Sequence, residues 1–147
     1  MGSAEGKIKF TISKTFRFEA AHRLLRNYCG KCNNNHGHSW EVKVYLAGYN
    51  LDDRDMLYDF KDMNKLKTWI DDSFDHVTIL WKEDPMIKFL NETNQKVFIT
   101  ENNPTSEHLA TIIFKKASDM FNNEGIWVES VEINETCTSS ARIFKEG

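Results

Sequence analysis

No stretch of this 147-residue chain approaches the eighteen or so consecutive apolar residues of a membrane-spanning helix. The N-terminus also lacks the basic-then-apolar order of a secretory signal, so a cytoplasmic protein is expected. Basic residues are too few and too scattered to form a patch. The 19 Lys and Arg stand against 22 Asp and Glu for a net charge of -3, with no basic run and no Lys/Arg cluster interleaved with aromatics. That argues against nucleic acid or an anionic membrane as the main partner, and a small molecule is expected instead. Cysteine is scarce and odd in number, three in all, which at this length points to reduced thiols rather than a disulfide framework. Internal repeats, low-complexity segments and an alternating βαβ rhythm are all missing. What remains, 40% hydrophobic and 12% aromatic, suffices for one core. One domain is expected over residues 7–147, preceded by a flexible leader, Met1 to Gly6, that takes no part in the fold.

The chain is organised around Cys29-Gly30-Lys31-Cys32-Asn33-Asn34-Asn35-His36-Gly37-His38. Two histidines separated by one residue point the same way on a strand, because strand side chains alternate with period two. The even positions continue through Trp40, Val42, Val44 and Leu46, so that face is apolar beyond the histidines. A third imidazole comes from the preceding extended segment, whose even positions Ile8, Phe10, Ile12, Phe16, Phe18 and Ala20 lead to His22. If the two strands pair, His22, His36 and His38 converge. Three neutral nitrogen ligands with an open fourth position is how proteins hold catalytic zinc, so Zn²⁺ is the expected metal. A rival ligand set is a closed knuckle of Cys29, Cys32, His36 and His38, a non-catalytic zinc module that leaves His22 unexplained.

In chain order, extended segments are expected at about Lys7 to Ala21 and His36 to Tyr49, followed by a turn at Asn50 to Asp53. A helix should start at Asp59 as N-cap, carry Phe60, Met63, Leu66, Trp69 and Ile70 on one face, and end near Ser73. Between Phe74 and Thr100 only a short helix after Asp84-Pro85 and a short extended piece at Val97 to Ile99 are legible. Thr105 or Ser106 caps a second amphipathic helix that presents Leu109, Ile112, Ile113, Ala117 and Met120, with Gly125 at the reversal. Ile126 to Glu135 alternates again, with Trp127, Val131 and Ile133 on one face, and Ala141 to Lys145 closes a fourth strand. The order β-β-α-α-β-β predicts an α+β domain, an antiparallel sheet with helices on one face. Its other face is left uncovered, which exposes apolar side chains unless chains associate.

Other reactive groups can be placed on this frame. Cys32 lies in a Gly/Asn-rich loop four residues before His36, where a thiolate near a metal or imidazolium could serve as base or nucleophile. Asp75-His76 follows the first helix and reads either as a proton relay or as a polar turn. Glu135 shares the face of Val131 and Ile133. There a carboxylate suits a paired donor such as the N–H edge of a guanidine-like ring, or simply ends the strand in solvent.

Taken together, Phe18-Glu19-Ala20-Ala21-His22-Arg23-Leu24, Cys32-x3-His36-Gly37-His38, Tyr58-Asp59-Phe60, Asp75-His76, Pro104-Thr105-Ser106-Glu107 and Glu135-Thr136 occur in the order found in the 6-pyruvoyltetrahydropterin synthase family. The chain resembles that family from about Phe10 to Ile143. The resemblance implies the tunnelling fold, a β2α2β2 unit whose sheets close into a barrel in a trimer, with two trimers forming a homohexamer. It implies His22, His36 and His38 as zinc ligands, Cys32 as the catalytic thiol, Asp75 and His76 as its relay, supplied across a subunit boundary if need be, Glu135 as the pterin anchor, and Thr105 near the pterin. The implied substrate is 7,8-dihydroneopterin triphosphate.

Three residues separate Cys32 from His-Gly-His, the spacing of the 6-carboxy-5,6,7,8-tetrahydropterin synthases of queuosine biosynthesis; the tetrahydrobiopterin-making branch usually has five. The expected reaction is therefore release of acetaldehyde and triphosphate, with 6-pyruvoyltetrahydropterin synthesis as the alternative. Lys9, Lys14, Arg17, Arg23 and Arg26 are candidates for triphosphate contacts. A cupin-type oxygenase using Glu41 as a further ligand would need many more strands than this chain supplies.

Overall fold

The structure is a computed structural model and describes residues 7–136 and 138–146; the expected leader lies outside them. Two long strands, β1 (Phe10–His22) and β2 (His36–Gly48), pair antiparallel along their whole length. Their even positions, from Phe16, Phe18 and Ala20 to Trp40, Val42, Val44 and Leu46, are buried. Aromatic and β-branched side chains at alternate positions are what a half-buried pleated surface selects. α1 (Asn64–Ser73), β3 (Val77–Trp81), α2 (Met86–Glu92), β4 (Val97–Thr100) and α3 (Ser106–Phe121) follow, and β5 (Ile126–Thr136) and β6 (Ser139–Phe144) complete one sheet in the order β4-β3-β1-β2-β5-β6. Leu66 and Ile70 of α1 and Leu109, Ile113 and Ala117 of α3 share one buried cluster with the even residues of β1 and β2, so these two helices cover a single face.

The α+β class and the four principal strands are as expected, and the poorly legible segment adds to them. β3 and β4 run parallel to each other, and β3 runs parallel to the last three residues of β1, which makes the sheet mixed. The uncovered face corrects the expectation of exposed apolar groups. It carries Thr15, Arg17, Glu19, Ser39, Glu41 and Lys43, with Arg17 paired to Glu41 at 2.6 Å. Such a face is stable in water.

One element boundary and one strand face also shift. α1 does not start at Asp59: the Asp59 Oδ1 accepts from Lys61 N at 2.9 Å, residues 59–63 form tight i→i+3 turns, and Phe60 is exposed. In β5 the face changes at a bulge, since Tyr45 pairs with Ser130 but Leu46 with Val128. Val128, Val131 and Ile133 are therefore buried, while Trp127 turns outward against Tyr49. The reversal after α3 uses Asn123, whose Oδ1 accepts from the N–H groups of Gly125 and Ile126.

One ion pair fixes the end of β1 to the inserted segment. Asp84, with no exposed side-chain surface, receives Arg23 Nη2 at 2.5 Å and Met86 N at 2.8 Å. Burial pushes the Asp84 carboxyl up, but Arg23 and the Met86 N–H outweigh it and hold it below the ordinary carboxylate value. A group depressed in the folded state contributes stability above its unfolded value and loses it as pH falls through the folded one. Asp84→Ala should cost about 2–3 kcal/mol, because it strands a mostly buried guanidinium. In urea unfolding, wild type should lose stability below about pH 4 more steeply than this variant; parallel pH profiles would remove Asp84 from that role.

Candidate metal centre

The β1–β2 register places His22 opposite His36, with His38 two residues further along opposite Ala20. All three therefore lie on the even face, and one ligand atom from each falls within 4.8 Å of the others. The ring centroids are 4.6 Å apart for His22 and His36, 5.2 Å for His22 and His38, and 4.8 Å for His36 and His38. Trp40 closes the floor, edge-on to His22 at 4.9 Å and to His38 at 5.3 Å, and its indole N–H is satisfied by the Ala20 carbonyl at 3.1 Å.

Backbone carbonyls orient two of the rings. His22 Nδ1 lies 2.7 Å from Pro104 O, and His36 Nδ1 lies 2.6 Å from Asn34 O. A carbonyl can only accept, so each Nδ1 carries the proton and each Nε2 is left as a lone pair. Burial pushes His22 down to about 4, and the neighbouring His36 and His38 add to that against the Pro104 carbonyl. His38 is also lowered, again chiefly by burial. Both are neutral at physiological pH, the form that binds a metal.

The Nε2 atoms of His22 and His38 are buried without a hydrogen-bond partner. Glu135 Oε1 stands 3.2 Å from the first and 3.7 Å from the second. A buried His22 lone pair facing a carboxylate is unfavourable unless a cation lies between them. The donor set therefore fits a divalent ion, with neutral imidazoles held by the outer hydrogen bonds typical of metal-ligating histidines. Pairing of β5 with β6 skips Glu135, since Asn134 faces Ser140 and Thr136 faces Ser139. A bulge of this kind re-aims a side chain. Glu135 thus lines, with His38, Ser39, Glu41 and Asn134, an open cleft of about 650 Å³.

Thr105 is the N-cap of α3, its Oγ1 accepting from His108 N at 3.1 Å; it adjoins the Pro104 carbonyl on His22. Asp75 and His76 bond directly, His76 Nδ1 to Asp75 Oδ2 at 2.9 Å. Neighbouring residues manage this because His76 adopts φ 59, which turns its ring back. Asp75 Oδ1 also accepts from Glu19 N at 2.8 Å; this bond first, then His76, outweighs partial burial and holds the carboxyl below its ordinary value. The His76 ring is exposed on the side of the sheet that carries Glu19 and Ser39. It shares an open cleft with His38 but does not join the three-imidazole cluster within the chain.

Cys32 lies on a single 3-10 turn, Lys31–Asn33, half-buried, its carbonyl accepting from Leu24 N at 2.7 Å. Among the described residues neither Cys32 nor the exposed Cys29 belongs to the cluster, which overturns the knuckle of two cysteines and two histidines. Glu41 is engaged by Arg17 and is not a ligand either. Of the basic candidates, Lys9, Arg17 and Arg23 are committed to Glu129, Glu41 and Asp84. The sequence reading missed the carbonyls of Pro104 and Asn34. Asn34 sits two residues from its histidine, but Pro104 meets His22 only through the fold.

Comparison with known proteins places these features in context. A family model described as 6-pyruvoyl tetrahydropterin synthase matches residues 11–146. The chain is 34% identical over 131 residues to a Rickettsia bellii protein named 6-carboxy-5,6,7,8-tetrahydropterin synthase, covering 84% of this chain and 92% of that one. Its structure is similar to an uncharacterised Wolinella succinogenes protein, with TM-score 0.85 and 25% identity over 95% of this chain and 99% of that one. It is also similar to the 6-pyruvoyl tetrahydropterin synthase of Caenorhabditis elegans, with TM-score 0.71 and 27% identity over 95% and 98%.

Metal analysis of purified variants tests the centre. His22→Ala and His38→Ala should lose bound zinc, whereas Cys32→Ala and Cys29→Ala should retain about one ion per chain, as expected of a three-imidazole site. Loss of zinc in a cysteine variant would contradict the ligand set.

Proposed function

We propose, since the chain belongs to the 6-pyruvoyl tetrahydropterin synthase family, that it is a zinc-dependent lyase converting 7,8-dihydroneopterin triphosphate and water to 6-carboxy-5,6,7,8-tetrahydropterin, acetaldehyde and triphosphate, on the route to 7-deazapurines such as queuosine. The observation that carries this reading is the meeting of His22, His36 and His38 at one point beside Glu135. The three-residue spacing from Cys32 to His36 and the name borne by the Rickettsia bellii relative favour the carboxy product. The second reading, 6-pyruvoyltetrahydropterin synthesis, is favoured by the name of the Caenorhabditis elegans neighbour.

Zinc held by the three imidazoles would supply Lewis acidity toward the hydroxyls of the substrate side chain. The chain's own groups do the rest. Glu135 offers two carboxylate oxygens to the N–H pair of the amino-pyrimidinone edge, a charge-assisted bidentate contact, and Thr105 holds the pterin from the start of α3. Cys32 accepts a side-chain proton as base, and His76, oriented by Asp75, moves protons to and from the solvent-facing side.

We assign the relay to a neighbouring copy in a homohexamer, a dimer of trimers, since His76 is exposed and stands outside the imidazole cluster of its own chain. β1 pairs with β3 only through Ala20–His22, so its edge over Phe10–Glu19 and the outer edge of β6 are what a closed barrel would join. No helix among the described residues is long and apolar enough to cross a membrane, and we place the enzyme in the cytoplasm as one domain.

Incubation of purified protein with 7,8-dihydroneopterin triphosphate, followed by chromatographic identification of the pterin, should yield the 6-carboxy product with one acetaldehyde per turnover. A pyruvoyl product would select the second reading, and unchanged substrate would refute both. Cys32→Ala and His76→Ala should each lower kcat by about 100-fold or more, the usual worth of a proton-transfer group.

A further inference from the structure

The end of the sheet away from the imidazoles holds a separate cleft of about 490 Å³, lined by Lys9, Tyr49, Trp127, Glu129 and Lys145. A strand rises about 3.3 Å per residue, so the run of β1 sets this cleft about 40 Å from His22. Its apolar part is an aromatic pair. Tyr49 and Trp127 lie 5.8 Å apart between ring centroids, with their planes at 48°, and Tyr49 is 42% exposed. Trp127 reaches that position through the bulge that pairs Leu46 with Val128 and Tyr45 with Ser130. A bulge that takes an indole out of the core re-aims it toward solvent.

The charge of the cleft is positive. Glu129, the one carboxylate among its lining residues, is taken by Lys9 at 2.6 Å, and Glu129 O accepts from Lys145 N at 2.8 Å, which ties the end of β6 to the cleft. Lys145 makes no ion pair among the described residues, and neither does Lys7, whose Nζ stands 4.9 Å over the Tyr49 ring. These residues come from the ends of β1, β2, β5 and β6, so no basic and aromatic cluster shows along the sequence. Aromatic faces beside uncommitted ammonium groups recognise a planar ring that carries phosphate. We infer that this cleft is a nucleotide site: the base stacks on Trp127 and Tyr49, and the phosphates take Lys7 and Lys145. Its volume falls within the roughly 300–1,000 Å³ of small-molecule pockets, which suits one nucleotide and not a nucleic-acid strand. Nothing in it depends on the metal centre or on the reaction proposed above.

Titration calorimetry of the purified protein with ATP in low-salt buffer tests the inference. One ATP per chain should bind, and added salt should weaken it several-fold by screening the ammonium groups. Trp127→Ala should weaken binding about tenfold or more, the worth of a stacked base, and Lys7→Glu combined with Lys145→Glu should do so by about the same factor. Both lysines are exposed, so that double variant keeps the fold and decides the matter should Trp127→Ala melt at a lower temperature. Inorganic triphosphate should bind about tenfold more weakly than ATP, for want of a ring to stack. Glu135→Ala, at the other end of the sheet, should bind ATP as the parent does. A pterin triphosphate presents the same two groups, and on Glu135→Ala it should displace ATP no better than ATP itself does; tighter binding would make the substrate the occupant and overturn the nucleotide assignment. No binding of ATP, equal binding of inorganic triphosphate, an unchanged affinity in the lysine double variant, or an affinity lost with Glu135→Ala would each overturn the inference.

Discussion

Everything at the candidate centre depends on one strand register, the pairing of β1 with β2 that sets His22 opposite His36. Strand side chains alternate, so a slip of one residue would send His22 to the uncovered face while His36 and His38 stayed inside. Phe16, Phe18, Trp40 and Val42, all buried on the same face, hold the register because any slip would carry an aromatic into water. The hydrophobic core is thus what aligns the imidazoles.

The second constraint is electrostatic. Burial keeps His22 neutral, and the carbonyls of Pro104 and Asn34 decide which nitrogen faces inward. The bulge at Glu135 then brings one carboxylate to the mouth of a pocket of lone pairs. A divalent cation held by the three neutral nitrogens would offset the repulsion between the His22 lone pair and the carboxylate. Asp75 and His76, in contrast, meet by a local left-handed turn and face the polar side of the sheet. His76 shares an open cleft with His38 there without joining the imidazole cluster.

Period-two and period-3.6 patterns made β1, β2, α3 and the imidazole trio legible, because each is long and amphipathic and the H-x-H pair is local. β3 was not legible: Val77-Thr78-Ile79-Leu80-Trp81 is a short apolar run buried in a parallel pairing, with no alternation to separate it from a helix. The start of α1 was misplaced because Asp59 makes a local turn with Lys61, the same chemistry that caps helices. Trp127 was put on the wrong face because a bulge shifts periodicity without a sequence mark. Pro104 was out of reach for another reason, since its role is set by where the chain returns in space.

X-ray absorption at the zinc edge of the purified protein addresses the metal centre most directly. Three imidazole nitrogens and one light atom at about 2.0–2.1 Å, with no sulfur neighbour, is the expected first shell. A sulfur at about 2.3 Å, or a protein that takes up no zinc when it is supplied, would contradict the assignment of His22, His36 and His38.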